Sequence, residues 1–461
     1  MLIKRRLFTI SFTALLSVTT HAATITAASC AQSDLNAVIN GPTHTAVSGD
    51  KIIVPTGSCT WSGNITINVA IDLECATAGG CTITDTNSNA EGGPNCSSGD
   101  LICMYLDGSN HATIGGFNFV TGSGVGSGDY IVVVGTGLVP LMHDMNFNLP
   151  NFVLAHAVQW LVQGGVIWNT TFASTDNLSG ACGSQVGSDS GSIVVKSTLP
   201  WDTPSTMGTL DTTGTNNLYI EDSTFSYVGQ IPDVDDNGRV VLRHDQYTNT
   251  SGGLTHGTSS TFGGRQVEIY DNTFSYTNTN RNVNRYFWFR AGTAVITGNS
   301  FQLQAGQCYG TKNTLTFTVE NATDDSQHGC CTGWMCFHQP GSGASATAQI
   351  PALIGSGNPS QVPGDNYQIS DPVYVWGNTG TGQGSTYYGT NDNAGQGSAC
   401  SNGVTTTNFY VSGRDYFYDD SGSATSGAKP GWVRYAYPHP LRALVSGEAL
   451  SAPTGLAAVV H

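Results

Sequence analysis

The 461-residue sequence predicts an all-β solenoid, a single coil whose strands return side by side in parallel, and three observations carry that expectation. Four segments, Leu218 to Phe225, Val240 to Tyr247, Val267 to Phe274 and Ala294 to Phe301, align without a gap. Their closing aromatics fall 22, 27 and 27 residues apart, a spacing that marks stacked structural repeats. Within each segment the first and third residues are apolar, a small or polar residue follows (Ser223, Asp245, Asn272, Asn299), and the aromatic then turns back inward. That is the period-two alternation of a strand with one buried face. One strand per two dozen residues cannot close hairpins, which need connections of only a few residues. The strands must therefore return in parallel. Composition agrees: 58 Gly, 10% charged residues and abundant Thr, Ser and Asn disfavour long helices.

The elements follow in order. Lys4, Arg5 and Arg6 precede an apolar run from Leu7 to Val18, and Thr20-His21-Ala22 offers a small-residue cleavage site. Residues 1–22 are thus expected to be a secretory signal, with an apolar run too short to span a bilayer. Residues 23–447 form the coil domain and 448–461 a linker-like tail. Ser33 to Ile39 reads as one short helix, N-capped by Ser33 and stopped by Gly41-Pro42. It is placed to cover the open hydrophobic end of the coil, which would otherwise pair with other chains. Strands follow at Ile52 to Val54 and from Trp61 to Cys75. Weaker repeats lie at Ala112 to Phe119, Met142 to Phe147 and Gly165 to Phe172. The interval from Phe172 to Phe225 is long enough for two coils, with Ser192 to Val195 as the strand of the unmarked one. Residues 305–365 are a long Cys- and Gly-rich insertion, Pro372 to Asn378 resumes the repeat, and Pro430 to Leu441 is expected to plug the far end.

The recurring Asn-then-aromatic positions between Leu218 and Phe301 resemble the right-handed parallel β-helices of the pectate-lyase superfamily. So does the opening helix followed by Gly49-Asp-Lys-Ile-Ile-Val-Pro-Thr-Gly57. The resemblance implies a single-stranded right-handed parallel β-helix and chemistry on extracellular polysaccharide. Residues 218–304 contain no Lys, and the WxDH, RxPxxR, paired-Asp and Arg-Ile-Lys signatures of typical pectate lyases and polygalacturonases are absent.

A net charge of −16, more acidic still once the signal is removed, argues against nucleic acid or an anionic membrane as partner. The expected partner is a polysaccharide, engaged by a monomer. All 12 cysteines follow the signal, and export permits disulfides. Cys30 with Cys59, Cys75 with Cys81 and Cys96 with Cys103 are natural neighbours, while Cys308, Cys330, Cys331 and Cys336 crowd one region.

Stacking the repeats makes vertical neighbours of residues distant in sequence. The outward fourth position reads Glu221, Arg243, Tyr270, Thr297, and the next reads Asp222, His244, Asp271, Gly298. His244 between two carboxylates would hold its proton more tightly; the alternative is a surface ion-pair ladder. His256 and Arg290 each end a strand before Gly, and with Arg265 could line one groove. Arg239, Arg243, Arg265, Arg281, Arg285 and Arg290 concentrate the chain's scarce cations there. Cleavage of a uronate polymer by β-elimination needs cations that neutralise the sugar carboxylate and a base for the α-proton. Arg243 or Arg290 would supply the first, with His244 or His256 as base or acid. Tyr270 and Trp288 offer rings for sugar faces. Asp222 and Asp271 would instead serve a hydrolase, and a non-enzymatic carbohydrate-binding adhesin is the third possibility. Asp233-Val-Asp235-Asp236-Asn237-Gly238 has the alternating oxygens of half a calcium loop, making Ca2+ the one metal expected; His244 at position twelve excludes an EF-hand.

Overall fold

The strands wind into a parallel β-helix of three long sheets. In the computed structural model they hold 12, 10 and 9 strands among the described residues, each successive strand lying beside one from the preceding coil. The structure describes residues 22–90, 96–108, 111–125, 128–135, 139–149, 156–174, 192–196, 210–228, 231–235, 237–250, 254–255, 264–276, 287–289, 292–303, 317–319, 342–343, 369–380, 413, 416–419, 423 and 425–446. The signal segment, His256, Arg281, Arg285, Arg290, the Cys308–Cys336 region and the tail therefore lie outside the described residues.

The register is the one that the repeats predict. Glu221, Arg243, Tyr270 and Thr297 stand in one row of the first sheet, and Phe225, Tyr247, Phe274 and Phe301 in one row of the second. Alternation turns Ile220, Leu242, Ile269 and Ile296 into the core, all fully buried. The inward rings stack face to face from Phe147 through Phe172, Phe225, Tyr247 and Phe274 to Phe301, with centroids 4.7, 5.1, 4.8, 4.5 and 5.0 Å apart.

Between first and second sheets the chain turns through one left-handed residue, φ 49° to 59° at Asp144, Asn169, Asp222, His244 and Asp271, then Gly298 and Gly377 in later coils. Asp, Asn and Gly tolerate this conformation best. The next residue points inward and forms a polar ladder. The Asp245 amide donates to Asn272 Oδ1 (2.8 Å), the Asn272 amide to Asn299 Oδ1 (3.0 Å) and the Asn299 amide to Asn378 Oδ1 (3.0 Å). Their side-chain amides donate back to the carbonyls of Leu242, Ile269 and Ile296. Buried polar groups are thus satisfied coil by coil.

Four expectations need correction. Phe172 pairs directly with Phe225, and Ser192–Lys196 is the third-sheet strand between them. The interval is therefore one coil with a long excursion, since strand pairing depends on rung height and not on the number of residues spent between rungs. The opening helix runs Gln32–Ile39 with Ala31 at its N-cap; Ser29 rather than Ser33 organises its start, donating to Asp34 and accepting from the Ala31 amide. Leu35, Val38 and Ile39 do join the core, as a lid on the first coils. Cys30–Cys59 and Cys75–Cys81 are disulfides, but Cys96 and Cys103 are free thiols. A hydrogen bond to Cys96, then burial, pushes the Cys103 thiol up. Finally, the segment after Pro430 does not plug the far end. Tyr416–Tyr418 closes the first sheet there, and the chain then folds back along the side of the coil.

Candidate functional site

The outer row of the first sheet holds the densest chemistry. From the N-terminal side it reads Glu74, Gly115, His143, Trp168, Glu221, Arg243, Tyr270, Thr297, Trp376, one residue per coil. Neighbouring strands lie about 4.8 Å apart, so each side chain reaches those directly above and below.

In the later coils this row is covered. The strap formed by Trp432 to Val445 packs Trp432, Tyr435, Leu441 and Val445 against Leu141, Val166, Trp168, Tyr219, Val241 and Tyr270. Arg243 beneath it is fully buried. Its Nη2 donates to Glu221 Oε1 (2.6 Å) and to the Ala436 carbonyl (2.7 Å), and its Nη1 to Tyr270 Oη (3.1 Å) and the Tyr435 carbonyl (2.9 Å). The expected proximity of Arg243 to Glu221 and Tyr270 is present, and the strap covers all three. Every direction the guanidinium could offer a substrate is taken, and Tyr270, 1% exposed, presents no face to a sugar.

The turn row beside it is likewise engaged. Arg434 grips Asp271 through two hydrogen bonds (2.7 and 2.9 Å). Asp222 accepts from Tyr437 Oη (2.6 Å) and Arg442 (2.5 Å). His244 does lie between these carboxylates in register, but its affinity for a proton falls rather than rises. Burial outweighs the attraction of Asp271 and Asp222, and Arg243 adds repulsion; the Tyr437 ring sits 3.7 Å away. Both carboxylates also answer to strap arginines and a tyrosine.

Arg265 is buried and paired with Asp371 at 2.6 Å, tying the return from the insertion to the coil. Asp233, Asp235 and Asn237 are buried too, and Asp233–Asp235 is a strand of the third sheet rather than a loop. Strand alternation points both carboxylates away from the core-facing Val234. Among the described residues no three His, Cys, Asp or Glu side chains gather as a metal site. Trp288 lies in the strand Phe287–Phe289, its side chain outside the described residues. The backbone register pairs Thr255 with Phe289, the residues that directly precede His256 and Arg290.

Sequence reasoning passed over the earlier part of the row. His143 Nδ1 meets Asp144 Oδ2 at 2.7 Å and Nε2 meets Glu74 Oε1 at 3.0 Å. Glu74 and His143 sit two coils apart and touch because the residue between them is Gly115, where a Cβ would collide with both side chains. Asn169 donates to Asp144, and the His143 ring stacks on Trp168 at 4.8 Å. Against burial, the hydrogen bonds that the imidazole donates to Asp144 and Glu74 raise its pKa to about 9, while the bond from His143 holds the Asp144 carboxyl low. The group is a stable imidazolium between two carboxylates. A signal was there: aligning Leu141 to Phe147 with Tyr219 to Phe225 puts His143 opposite Glu221 and Asp144 opposite Asp222.

Comparison of the chain with protein-family models, with curated proteins and with solved structures finds no match.

Proposed function

We propose that the chain is an exported β-helix that acts on an acidic, uronate-containing polysaccharide and cleaves it by β-elimination. The observation that carries this is the third-sheet register, in which Thr255 stands beside Phe289; His256 and Arg290 are the residues that follow them in sequence. The reaction needs a base and a cation: in this reading Arg290 neutralises the sugar carboxylate, making its α-proton acidic, and His256 removes that proton. Arg243 drops out of this role because Glu221, Tyr270 and two strap carbonyls already saturate it. Asp222 and Asp271, the pair a hydrolase would use, are each held by a strap arginine. The N-terminal signal pattern and two disulfides support export. Calcium at Asp233 and Asp235 belongs to the same proposal.

Incubation with a panel of uronate polymers tests the reaction. A lyase produces unsaturated ends that absorb in the ultraviolet, a hydrolase produces reducing ends without absorbance, and a binder produces neither. Loss of turnover in both Arg290→Ala and His256→Ala, with melting unchanged, is the expected result; full activity in both overturns the assignment. A chelator that changes neither activity nor melting removes the metal.

A further inference from the structure

The strap differs from the coil in how it is held. Its back faces solvent, with Val433 73% and Tyr437 46% exposed, and its underside meets the coil through the apolar cluster around Trp432, Tyr435, Leu441 and Val445 and through ionic and hydrogen-bonded contacts. At its centre is His439. The imidazole packs against Tyr219, centroids 4.4 Å apart. Its Nδ1 accepts the Leu441 amide (3.2 Å), capping the helical turn Pro440–Arg442, and its own backbone amide donates to Glu221 Oε2 (3.1 Å).

We propose that residues 432–446 form a lid over the Glu221–Arg243–Tyr270 row, latched by the neutral ring of His439 and lifted when that ring is protonated.

The geometry demands neutrality twice. An imidazolium carries a proton on both ring nitrogens, so Nδ1 would lose its capping bond and face the Leu441 amide donor to donor. The charged groups around the ring are Glu221 and Arg243 from the coil and Arg442 from the strap. Glu221, the one anion, has no capacity left: Oε1 takes Arg243, and Oε2 takes Arg442 (3.0 Å) and the His439 amide. A third cation would sit among two arginines with no carboxylate oxygen to receive it. Burial, with Arg243 and Arg442, accordingly depresses the His439 pKa to about 4, against the pull of Glu221.

The sign follows from linkage. Released into water, the ring regains an ordinary pKa near 6.5, so protons bind the open lid more tightly than the closed one. The closed state is fully favoured above about pH 6.5 and loses ground as pH falls toward 4. A histidine with a depressed pKa thus acts as an acid-operated latch. Opening would uncover Glu221, Arg243, Tyr219 and Tyr270, all at most 2% exposed when the lid is shut. The inference does not depend on what the coil acts on.

Hydrogen exchange on the full chain, corrected for intrinsic rates, tests it. Between neutral pH and pH 5, amides of the strap, including Arg442, are expected to lose protection on the order of tenfold, while the Asn272 and Asn299 ladder amides keep theirs. His439→Asn retains a side-chain oxygen for the cap and cannot take a proton, so its lid stays closed over the same range. Equal strap protection at both pH values overturns the proposal. Release in His439→Asn matching the wild type also overturns it, assigning the effect to protonation of Asp222, Asp271 or Glu221 instead. A nuclear magnetic resonance titration of His439 in the wild type at or above the ordinary pKa does the same and needs no variant.

Discussion

Two acid–base groups stand in one row of the first sheet, six coils from end to end, and are held in opposite ways. Glu221 and Arg243 lie on adjacent rungs, fully buried beneath the strap. Glu74 and His143 reach across an empty rung at Gly115, with Asp144 partly exposed beside them. In the first, the cation is permanent and the surroundings are saturated, so the charge serves packing. In the second, the cation exists only because two carboxylates hold the proton. The same ladder position therefore makes a fixed structural charge or a titrating one, according to what covers it.

The comparison is broken most directly by Arg243→Ala, which leaves Glu221 buried beside Arg442 alone and frees two strap carbonyls. Removing one partner of a buried pair costs about 3–5 kcal/mol, read as a shift of the denaturant midpoint with an unchanged slope. Gly115→Ala comes next, because the added methyl occupies the gap that Glu74 and His143 share. A cost of about 1–3 kcal/mol is expected from overpacking, together with a lowered His143 pKa by nuclear magnetic resonance.

The titrating site also predicts a pH dependence. Its folded pKa of about 9 lies above the ordinary histidine value, so the stability it contributes is fully present below about pH 6.5 and is lost as pH rises through 9. The change is about 3 kcal/mol and is absent in His143→Asn, as thermal melts across that window would show. Arg434→Ala is the smallest perturbation. Its side chain is half exposed, although it grips Asp271 through two bonds, and exposed pairs contribute about 0–1 kcal/mol. A loss comparable to that of Arg243→Ala would mean that the strap is held as a unit, erasing the contrast between its exposed and buried ends.

Much of the coil was legible from sequence because its determinants repeat locally. The Ser223, Asp245, Asn272, Asn299 series and the Phe225, Tyr247, Phe274, Phe301 series each recur at the same place in four successive coils, so alignment alone predicts the register there. The Phe172 to Phe225 interval misled for a related reason. Counting residues measures contour length, and an excursion adds contour without adding a rung. The candidate site was legible only in part. The neighbours of Arg243 within the sheet were readable; its coverage by Tyr435 and Ala436 was not, and neither was the effect of that cover on His244.

The sequence by itself determined the parallel coil, the inward ladders and which residues share a wall, because alternation and period are properties of short stretches. Only the tertiary structure decided which part of that wall meets solvent. The strap's contacts with the row join residues some 160 to 220 positions apart, and no local pattern encodes where a returning segment lies down. The meeting of Glu74 with His143, 69 residues away, likewise depends on the missing side chain between them. Charge is written in the chain, but whether it is buried, paired or free to titrate is settled by what packs over it.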